Sequence, residues 1–247
     1  MLRSLVGSEM CIRDSNRTRD GNFTLTGLVG RDLYGKTAGI IGTGKIGKIL
    51  ATILHGFGMK ILLDDLYPDQ AFAQSIGGEY VSRERLYAES DVISLHWPLT
   101  PENKYMINAE TLKLMKKSAI VINTGRGGLI DTKALVDALK NGKIRGAGLD
   151  VYEEEDQYFF EDKSMEPIRD DVLARLIQFP NVLLTSHQAF PTEEALGEIA
   201  RVSLDNVRRW KKGEPQINES CYRCVDAGKA SSCAKTTEGR CWAESKH

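Results

Sequence analysis

The feature that most restricts the fold of this chain is a glycine motif between an apolar run and a segment of helical spacing. The run Thr37–Gly42 is short and apolar, and it leads into the G-x-G-x-x-G sequence of Gly42 to Gly47. The next segment, Lys45–Phe57, places on one face the apolar residues Ile46, Ile49, Leu50, Ile53 and Leu54. A strand, a tight glycine turn and a helix in this order predict a βαβ unit and therefore a parallel sheet.

The middle of the chain repeats this alternation of apolar runs and helical spacing. The other predicted strands are Lys60–Asp64, Asp91–His96, Ala119–Thr124, Ala147–Tyr152 and Asn181–Ser186. The other predicted helices are Asn108–Lys117, a helix with Asp131 as its N-cap that continues to Leu139, and about Thr192 to Lys212. Because the strands are short and almost entirely apolar, helices are expected on both faces of the sheet. The predicted fold class is therefore α/β with a doubly wound parallel sheet.

Composition and charge exclude several classes of protein. The 247 residues are 41% hydrophobic and 27% charged, which is typical of a globular domain. A net charge of -1 argues against nucleic acid or an anionic membrane as a partner. No apolar run reaches the roughly 18 residues that predict a membrane span, and Met1–Ser15 lacks the apolar stretch of a signal peptide. We therefore expect a cytoplasmic enzyme with a small-molecule substrate.

The glycine motif predicts a dinucleotide site. Gly42 permits a tight turn, Gly44 lets the backbone approach a pyrophosphate, and Gly47 lets the helix pack closely on the strand. An acid about 20 residues further on binds the adenosine ribose and repels the extra phosphate of NADP, so the predicted cofactor is NAD. Asp64 and Asp65 both stand at the required distance, and position alone does not separate them. The alternative is a glycine-rich turn without a ligand.

Three ionisable residues, Arg126, Glu155 and His187, each follow a different predicted strand. Because the carboxyl ends of parallel strands share one edge of the sheet, these side chains are expected to meet there. A histidine can donate a proton near neutral pH, and a neighbouring carboxylate favours its charged form and orients the ring. Arginine can bind a substrate carboxylate through two hydrogen bonds. This set suits the reduction of a 2-keto acid.

Each of these residues also has a purely structural interpretation. His187 could simply end a strand, Arg126 could be a surface arginine in a glycine-rich loop, and the acidic run Glu153–Asp156 could be a solvated loop. Their convergence on one edge favours the catalytic interpretation.

The motifs together resemble the D-2-hydroxyacid dehydrogenase family from about Arg17 to Pro215. The segments that carry the resemblance are RTRDGNF, YGKTAGIIGTGKIG, ISLHWPLTPENKYMIN, INTGRGGLIDT, GLDVYEEE and TSHQAF. The resemblance implies a Rossmann-like NAD-binding domain and part of a second, flavodoxin-like substrate domain. It also implies a homodimer that pairs through the NAD-binding domain.

The resemblance assigns roles to individual residues. It implies that Arg126 binds the substrate carboxylate, that His187 is the acid/base and that Glu155 is its partner. It selects Asp65 for the ribose, although Asp64 departs from the aromatic or small residue expected before that acid. Further positions that it places along the NAD cleft are Gly42, Gly44, Lys45, Ile46, Gly47, Trp97, Pro98, Asn103, Thr124, Gly125 and Asp150.

The substrate is predicted from two shorter segments. His187–Phe190 and Phe159–Ser164 resemble the branch of the family that reduces pyruvate to D-lactate in fermentation, with Phe190 beside the substrate side chain. A larger 2-keto acid is the alternative substrate. The alternatives to an enzyme are an NAD-sensing module like the corepressors of the family, and an inert fragment.

The resemblance also divides the chain. Residues 1–16 lie outside it, 17–187 correspond to the NAD-binding domain with its leading connector, 188–218 return to the substrate domain, and 219–247 form a tail. Met1–Ser15 resembles a translated sequencing adaptor joined to a truncated transcript. Because the family begins with the substrate domain, we expect this chain alone to bind NAD but to turn over poorly. We also expect its last helix to expose an apolar face.

Four cysteines lie in the tail, and thiolates can hold zinc in tetrahedral geometry. The second pair lacks the close spacing of the first, so we predict reduced cysteines and no metal, with zinc or a disulfide as alternatives. These cysteines are Cys221, Cys224, Cys233 and Cys241.

Overall fold

The computed structural model describes residues 15–24, 26 and 29–214. The predictions for residues 1–14 and for the tail 219–247, including its four cysteines, lie outside the described residues. The chain divides into two compact units between Ala189 and Phe190.

The first unit is built on a parallel sheet. Within the described residues its strands are β1 Thr37–Ile41, β2 Lys60–Asp64, β3 Glu79–Tyr80, β4 Val92–Leu95, β5 Ile120–Asn123, β6 Gly146–Leu149 and β7 Val182–Leu184. Their order across the sheet is β3-β2-β1-β4-β5-β6-β7, and every neighbouring pair is parallel. The order reverses between β1 and β4, as it does in a doubly wound sheet. The predicted α/β fold class is confirmed.

Helices connect most of these strands. In the described part of the first unit they are α1 Lys45–Gly56, α2 Gln70–Ser75, α3 Arg83–Glu89, α4 Ala109–Leu114, α5 Thr132–Lys140 and α6 Asp171–Leu176. The second unit contains α7 Glu193–Lys211. None of the described helices is long and apolar enough to cross a membrane.

The sheet is buried on both faces. Neighbouring residues of a strand point to opposite faces, and Ile40 and Ile41 of β1 are both fully buried in different core clusters. Because helices cover both faces of the sheet, the strands are apolar throughout and do not alternate apolar with polar residues.

The helix α1 packs differently from its apolar pattern. Of the predicted apolar face, Leu54 is buried and Leu50 packs against the core, but Ile46, Ile49 and Ile53 are 68%, 53% and 51% exposed. The other buried residues of this helix are Gly47 and Ala51, so the face that packs on the sheet overlaps the predicted face only in part. Small side chains let the helix approach the strand closely, and this close approach determines its orientation.

Several boundaries differ from the predictions. For example, the strand predicted to reach Tyr152 ends at Leu149. The helix after Asp131 does begin as predicted, because the Asp131 carboxylate accepts the N–H of Ala134 at 3.1 Å.

The prediction of an exposed apolar face on α7 is confirmed. The exposed apolar residues of α7 are Leu196, Ile199, Leu204, Val207 and Trp210.

Candidate active site

The carboxyl edge of the sheet collects most of the predicted site residues. The glycine turn (Gly42–Gly47) follows β1, Asp65 follows β2, and Trp97 and Pro98 lie just beyond β4. Thr124, Gly125 and Arg126 come after β5, Asp150 and Glu155 after β6, and His187 after β7. The topology therefore brings the predicted cofactor and catalytic residues to one edge.

The glycine turn fits a pyrophosphate. Gly42 has φ 95°, a left-handed conformation that favours glycine, and a Cβ on Gly47 would collide with the carbonyl oxygen of Gly42. Gly44 is the N-cap of α1 and offers no side-chain cap to the first N–H groups, while the space beside its Cα is open. Uncapped N–H groups at a helix N-terminus next to open space can bind an anion.

The two candidate ribose acids occupy different environments. Asp65 accepts the N–H of Thr43 at 2.5 Å and the N–H of Tyr67 at 2.9 Å, so its carboxylate lies against the glycine turn. Asp64 instead forms an ion pair with Arg83 at 2.9 Å. Burial alone would raise the pKa of Asp65, but the N–H bonds from Tyr67 and Thr43 outweigh it and hold that pKa below its ordinary value. The structure places Asp65, rather than Asp64, beside the predicted pyrophosphate position.

The loop after β4 borders the glycine turn. The Trp97 side chain and backbone are the atoms that a Cβ on Gly42 would meet. Asn103, predicted to line the cleft, stabilises this loop: its amide donates to the carbonyl of Pro98 at 2.7 Å and accepts the N–H of Thr100 at 2.8 Å.

Two further residues predicted to bind the cofactor, Lys45 and Ile46, lie in the first turn of α1, and both are exposed.

The loop after β5 is held by a residue that the sequence did not single out. Asn123 is buried, accepts the N–H of Gly125 at 3.1 Å and donates to the carbonyl of Arg126 at 2.9 Å. The guanidinium of Arg126 is exposed and donates to the carbonyl of Gly125 at 2.7 Å. Among the described residues no hydrogen bond joins Arg126 to Glu155 or His187. The guanidinium is therefore available to an anionic ligand at this edge.

His187 and Glu155 form the predicted pair. The Nδ1 atom of His187 lies 3.0 Å from Oε1 of Glu155, and the other carboxylate oxygen accepts the N–H of Tyr152 at 3.0 Å. The side chains are 29% and 18% exposed, so the pair is largely shielded but reachable. The Phe160 ring is tilted against the imidazole, with centroids 5.9 Å apart. With Nδ1 engaged, Nε2 is the ring nitrogen that can exchange a proton with a substrate.

Two carboxylates of the acidic run Glu153–Asp156 are bonded to neighbouring segments, whereas Glu154 and Asp156 are exposed. Glu153 accepts the hydroxyl of Tyr105 at 2.8 Å and the N–H of Thr132 at 3.3 Å, and Glu155 is bonded to His187. The two carboxylates therefore fix this segment to the loop of Tyr105, to the start of α5 and to His187. The interpretation of Glu153–Asp156 as a solvated loop is wrong for both of these glutamates.

Asp150 holds the histidine turn (Ser186–Ala189). Its carboxylate is buried and accepts the hydroxyl of Thr185 at 2.5 Å, the N–H of Gln188 at 2.8 Å and the N–H of Ala189 at 2.9 Å. Its carbonyl accepts the N–H of His187 at 2.7 Å. The sequence predicted only that Asp150 lines the NAD cleft. An acid that closely follows an apolar strand was the available signal for this second role, because a buried carboxylate requires several donors.

Two predictions stay untested, and one neighbouring histidine has a structural partner. Phe190 belongs to the second unit, and its place beside the substrate stays a prediction. His96 bonds the buried hydroxyl of Ser94 at 3.0 Å, and burial lowers the pKa of this histidine. No group of metal ligands is present among the described residues, and the tail cysteines lie outside them.

Comparisons with known proteins agree with this geometry. The family model of the D-isomer specific 2-hydroxyacid dehydrogenase, NAD binding domain, matches residues 8–189. The D-lactate dehydrogenase of Escherichia coli (strain K12) is 53% identical over 207 residues, which cover 84% of this chain and 63% of that protein.

Solved structures give the same result. The pyruvate reductase of Chlamydomonas reinhardtii matches with a TM-score of 0.80 and 41% identity, covering 84% of this chain and 63% of that chain. The D-lactate dehydrogenase of Aquifex aeolicus, solved with NAD and lactic acid, matches with a TM-score of 0.74 and 36% identity, covering 83% of this chain and 62% of that chain. This chain thus spans a little under two thirds of the length of these relatives.

These relatives give no support to a corepressor-like module or an inert fragment. The family description confirms the predicted NAD cofactor, whose pyrophosphate the glycine turn fits. The chain belongs to the D-isomer-specific 2-hydroxyacid dehydrogenase family and carries its NAD-binding domain.

Proposed function

We propose that this protein interconverts a small 2-keto acid and the D-2-hydroxy acid, with pyruvate and D-lactate as the substrate pair. The observation that carries the proposal is the His187–Glu155 pair, with its 3.0 Å bond, at the same sheet edge as the glycine turn. In the direction of reduction, NADH supplies the hydride when bound. The keto acid also takes up one proton, so that its carbonyl becomes a hydroxyl.

The residues of the chain transfer the proton, bind the substrate and hold the cofactor. His187 donates the proton from Nε2 to the carbonyl oxygen, while Glu155 holds Nδ1 and fixes the orientation of the ring. Arg126, whose guanidinium is exposed beside the same edge, binds the substrate carboxylate and polarises the carbonyl. The cofactor is held by the residues around the glycine turn, which include Gly44, Lys45, Ile46, Asp65 and Trp97. Reversal of the same proton path serves oxidation.

Two features support a small substrate. The relatives include proteins named D-lactate dehydrogenase and pyruvate reductase, and one of them was solved with lactic acid. The Phe160 ring contacts the His187 imidazole and places an apolar group beside the proposed proton donor. An apolar neighbour suits the methyl group of pyruvate. A homodimer and a cytoplasmic location remain our predictions for the protein.

The test is NADH oxidation with a series of 2-keto acids. We would assay this chain, and the same chain from Arg17 onward joined to the substrate domain of the Escherichia coli relative. We expect the joined protein to oxidise NADH with pyruvate faster than with larger 2-keto acids, and Arg126→Gln to raise the KM for pyruvate. Faster turnover of a larger acid would refute the pyruvate assignment. Binding of NADH without reduction of any keto acid would refute the proposed reaction.

A further inference from the structure

The departure at Asp64, which the proposed function leaves unexplained, has a partner in the structure. Arg83, the first residue of α3, donates from Nε to Asp64 Oδ2 at 2.9 Å, and its side chain is 33% exposed. The Asp64 side chain is only 14% exposed. The guanidinium carbon of Arg83 lies 4.6 Å from the centroid of the Trp97 ring. One arginine therefore connects the end of β2 with the loop after β4.

Both ends of this connection border the cofactor site. Asp64 directly precedes Asp65, whose carboxylate lies against the glycine turn, and Trp97 lies against Gly42. An isolated surface ion pair stabilises a protein by about 0–1 kcal/mol and would need no further explanation. Here the Arg83 guanidinium also covers the Trp97 indole next to the predicted cofactor site. An ion pair alone does not explain this second contact.

We propose that Arg83 and Trp97 form a stacked platform for the adenine base of the cofactor. A dinucleotide whose pyrophosphate lies on the glycine turn and whose ribose is bonded to Asp65 extends its base toward the ends of β2 and β4. Planar guanidinium and indole groups both stack on aromatic bases. Asp64 is a positioning residue, because it fixes the guanidinium in place and neutralises its charge.

The platform acts on one half of the cofactor, which separates it from the proposed reaction. ADP-ribose contains the adenosine half, whereas reduced nicotinamide mononucleotide contains only the reactive half. The inference depends on the NAD site and not on turnover. A joined protein that binds ADP-ribose but reduces none of the 2-keto acids would therefore refute the proposed reaction and leave this proposal standing.

Calorimetric titration of the full chain with these two ligands tests the platform. We expect Arg83→Leu to weaken ADP-ribose binding by about fivefold to tenfold, the scale of one stacking contact, with no change for nicotinamide mononucleotide. Arg83→Lys, which keeps the charge but not the plane, should lose nearly as much. The matched control is Arg85→Leu on the same helix, because Arg85 pairs with Glu79 and Glu89, and it should bind like the wild type.

Two results with Arg83→Leu would overturn the proposal. One is unchanged ADP-ribose affinity in Arg83→Leu, and the other is an equal loss for both ligands, since that would indicate general damage to the site. Asp64→Asn provides a second variant in case Arg83→Leu does not fold. It keeps the guanidinium but weakens its anchor, so we expect ADP-ribose binding about twofold to threefold weaker. Wild-type affinity in this variant would also contradict the proposal.

Discussion

The glycine turn and the histidine turn both place a left-handed residue at the carboxyl end of a strand, but they do so by different means. After β1, Gly42 has φ 95° and no side chain to strain. After β7, His187 has φ 56° and carries the imidazole that the proposed reaction needs. A left-handed backbone costs a residue with a side chain about 1–2 kcal/mol.

The difference shows what each turn is for. In the glycine turn the uncapped backbone N–H groups would bind the proposed pyrophosphate, so the absence of side chains is an advantage. In the histidine turn a side chain must point into the site, and glycine cannot supply one. The strain at His187 is offset by the buried carboxylate of Asp150, which accepts two N–H groups of the turn and a hydroxyl.

The largest effect should come from breaking the histidine turn at Asp150. In Asp150→Asn one carboxylate oxygen becomes an NH₂ group that faces N–H donors, so we expect a loss of about 3 kcal/mol in unfolding free energy, measured by urea titration. The matched control is Asp137→Asn on the exposed face of α5, which should change stability by less than about 0.5 kcal/mol. Equal stabilities for the two variants would mean that Asp150 does not hold the turn.

A smaller loss should follow from filling the glycine turn. A methyl group on Gly47 would collide with the backbone of Gly42, so Gly47→Ala should destabilise the fold by about 2 kcal/mol and weaken NADH binding. Gly56→Ala in the same helix meets no neighbour and should stabilise the fold by about 0.5 kcal/mol. Urea unfolding measures the change in unfolding free energy for both variants, which we expect to have opposite signs. A stabilising Gly47→Ala would contradict the close packing of α1 against the glycine turn.

The strain at His187 can be measured with two variants that both lack the imidazole. Alanine keeps the unfavourable left-handed conformation, whereas glycine adopts it freely, so His187→Gly should be more stable than His187→Ala by about 1 kcal/mol. The comparison uses thermal or urea unfolding of the two proteins. If His187→Ala is the more stable of the two, the turn is not strained.

The smallest effect concerns pH and the acid at the glycine turn. The lowered pKa of Asp65 means that its contribution to stability is complete above the unfolded pKa of about 3.9 and is lost as pH falls through the lower folded value. The difference in unfolding free energy between the wild type and Asp65→Asn should therefore be constant from pH 5 to 7 and shrink toward pH 3. A difference that does not change with pH would show that the carboxylate charge is not involved.

The sequence predicted the fold and the convergence of the site because both follow from periodic patterns and topology. The glycine motif, the apolar strands and the residues after them were sufficient to place His187, Glu155 and Arg126 at one edge. The short elements β3, α2, α3 and α6 were missed because two to seven residues show no clear period. The role of Asp150 was missed because its donor Gln188 lies 38 residues away, and an acid after a strand does not identify such a donor. Asn123 bonds to Gly125 and Arg126 nearby in the chain, but an asparagine at the end of a strand does not by itself reveal where its side chain points.

The role of His187 is tested most directly by measuring NADH affinity and pyruvate reduction in one variant, His187→Gln. We would use the protein joined to a substrate domain, with NADH affinity from titration and turnover from NADH oxidation. We expect unchanged NADH affinity and a fall in turnover of about a thousandfold, because the proton donor is lost while the glycine turn is intact. Turnover close to that of the wild type would contradict the assignment of His187 as the acid, and with it the proposed reaction.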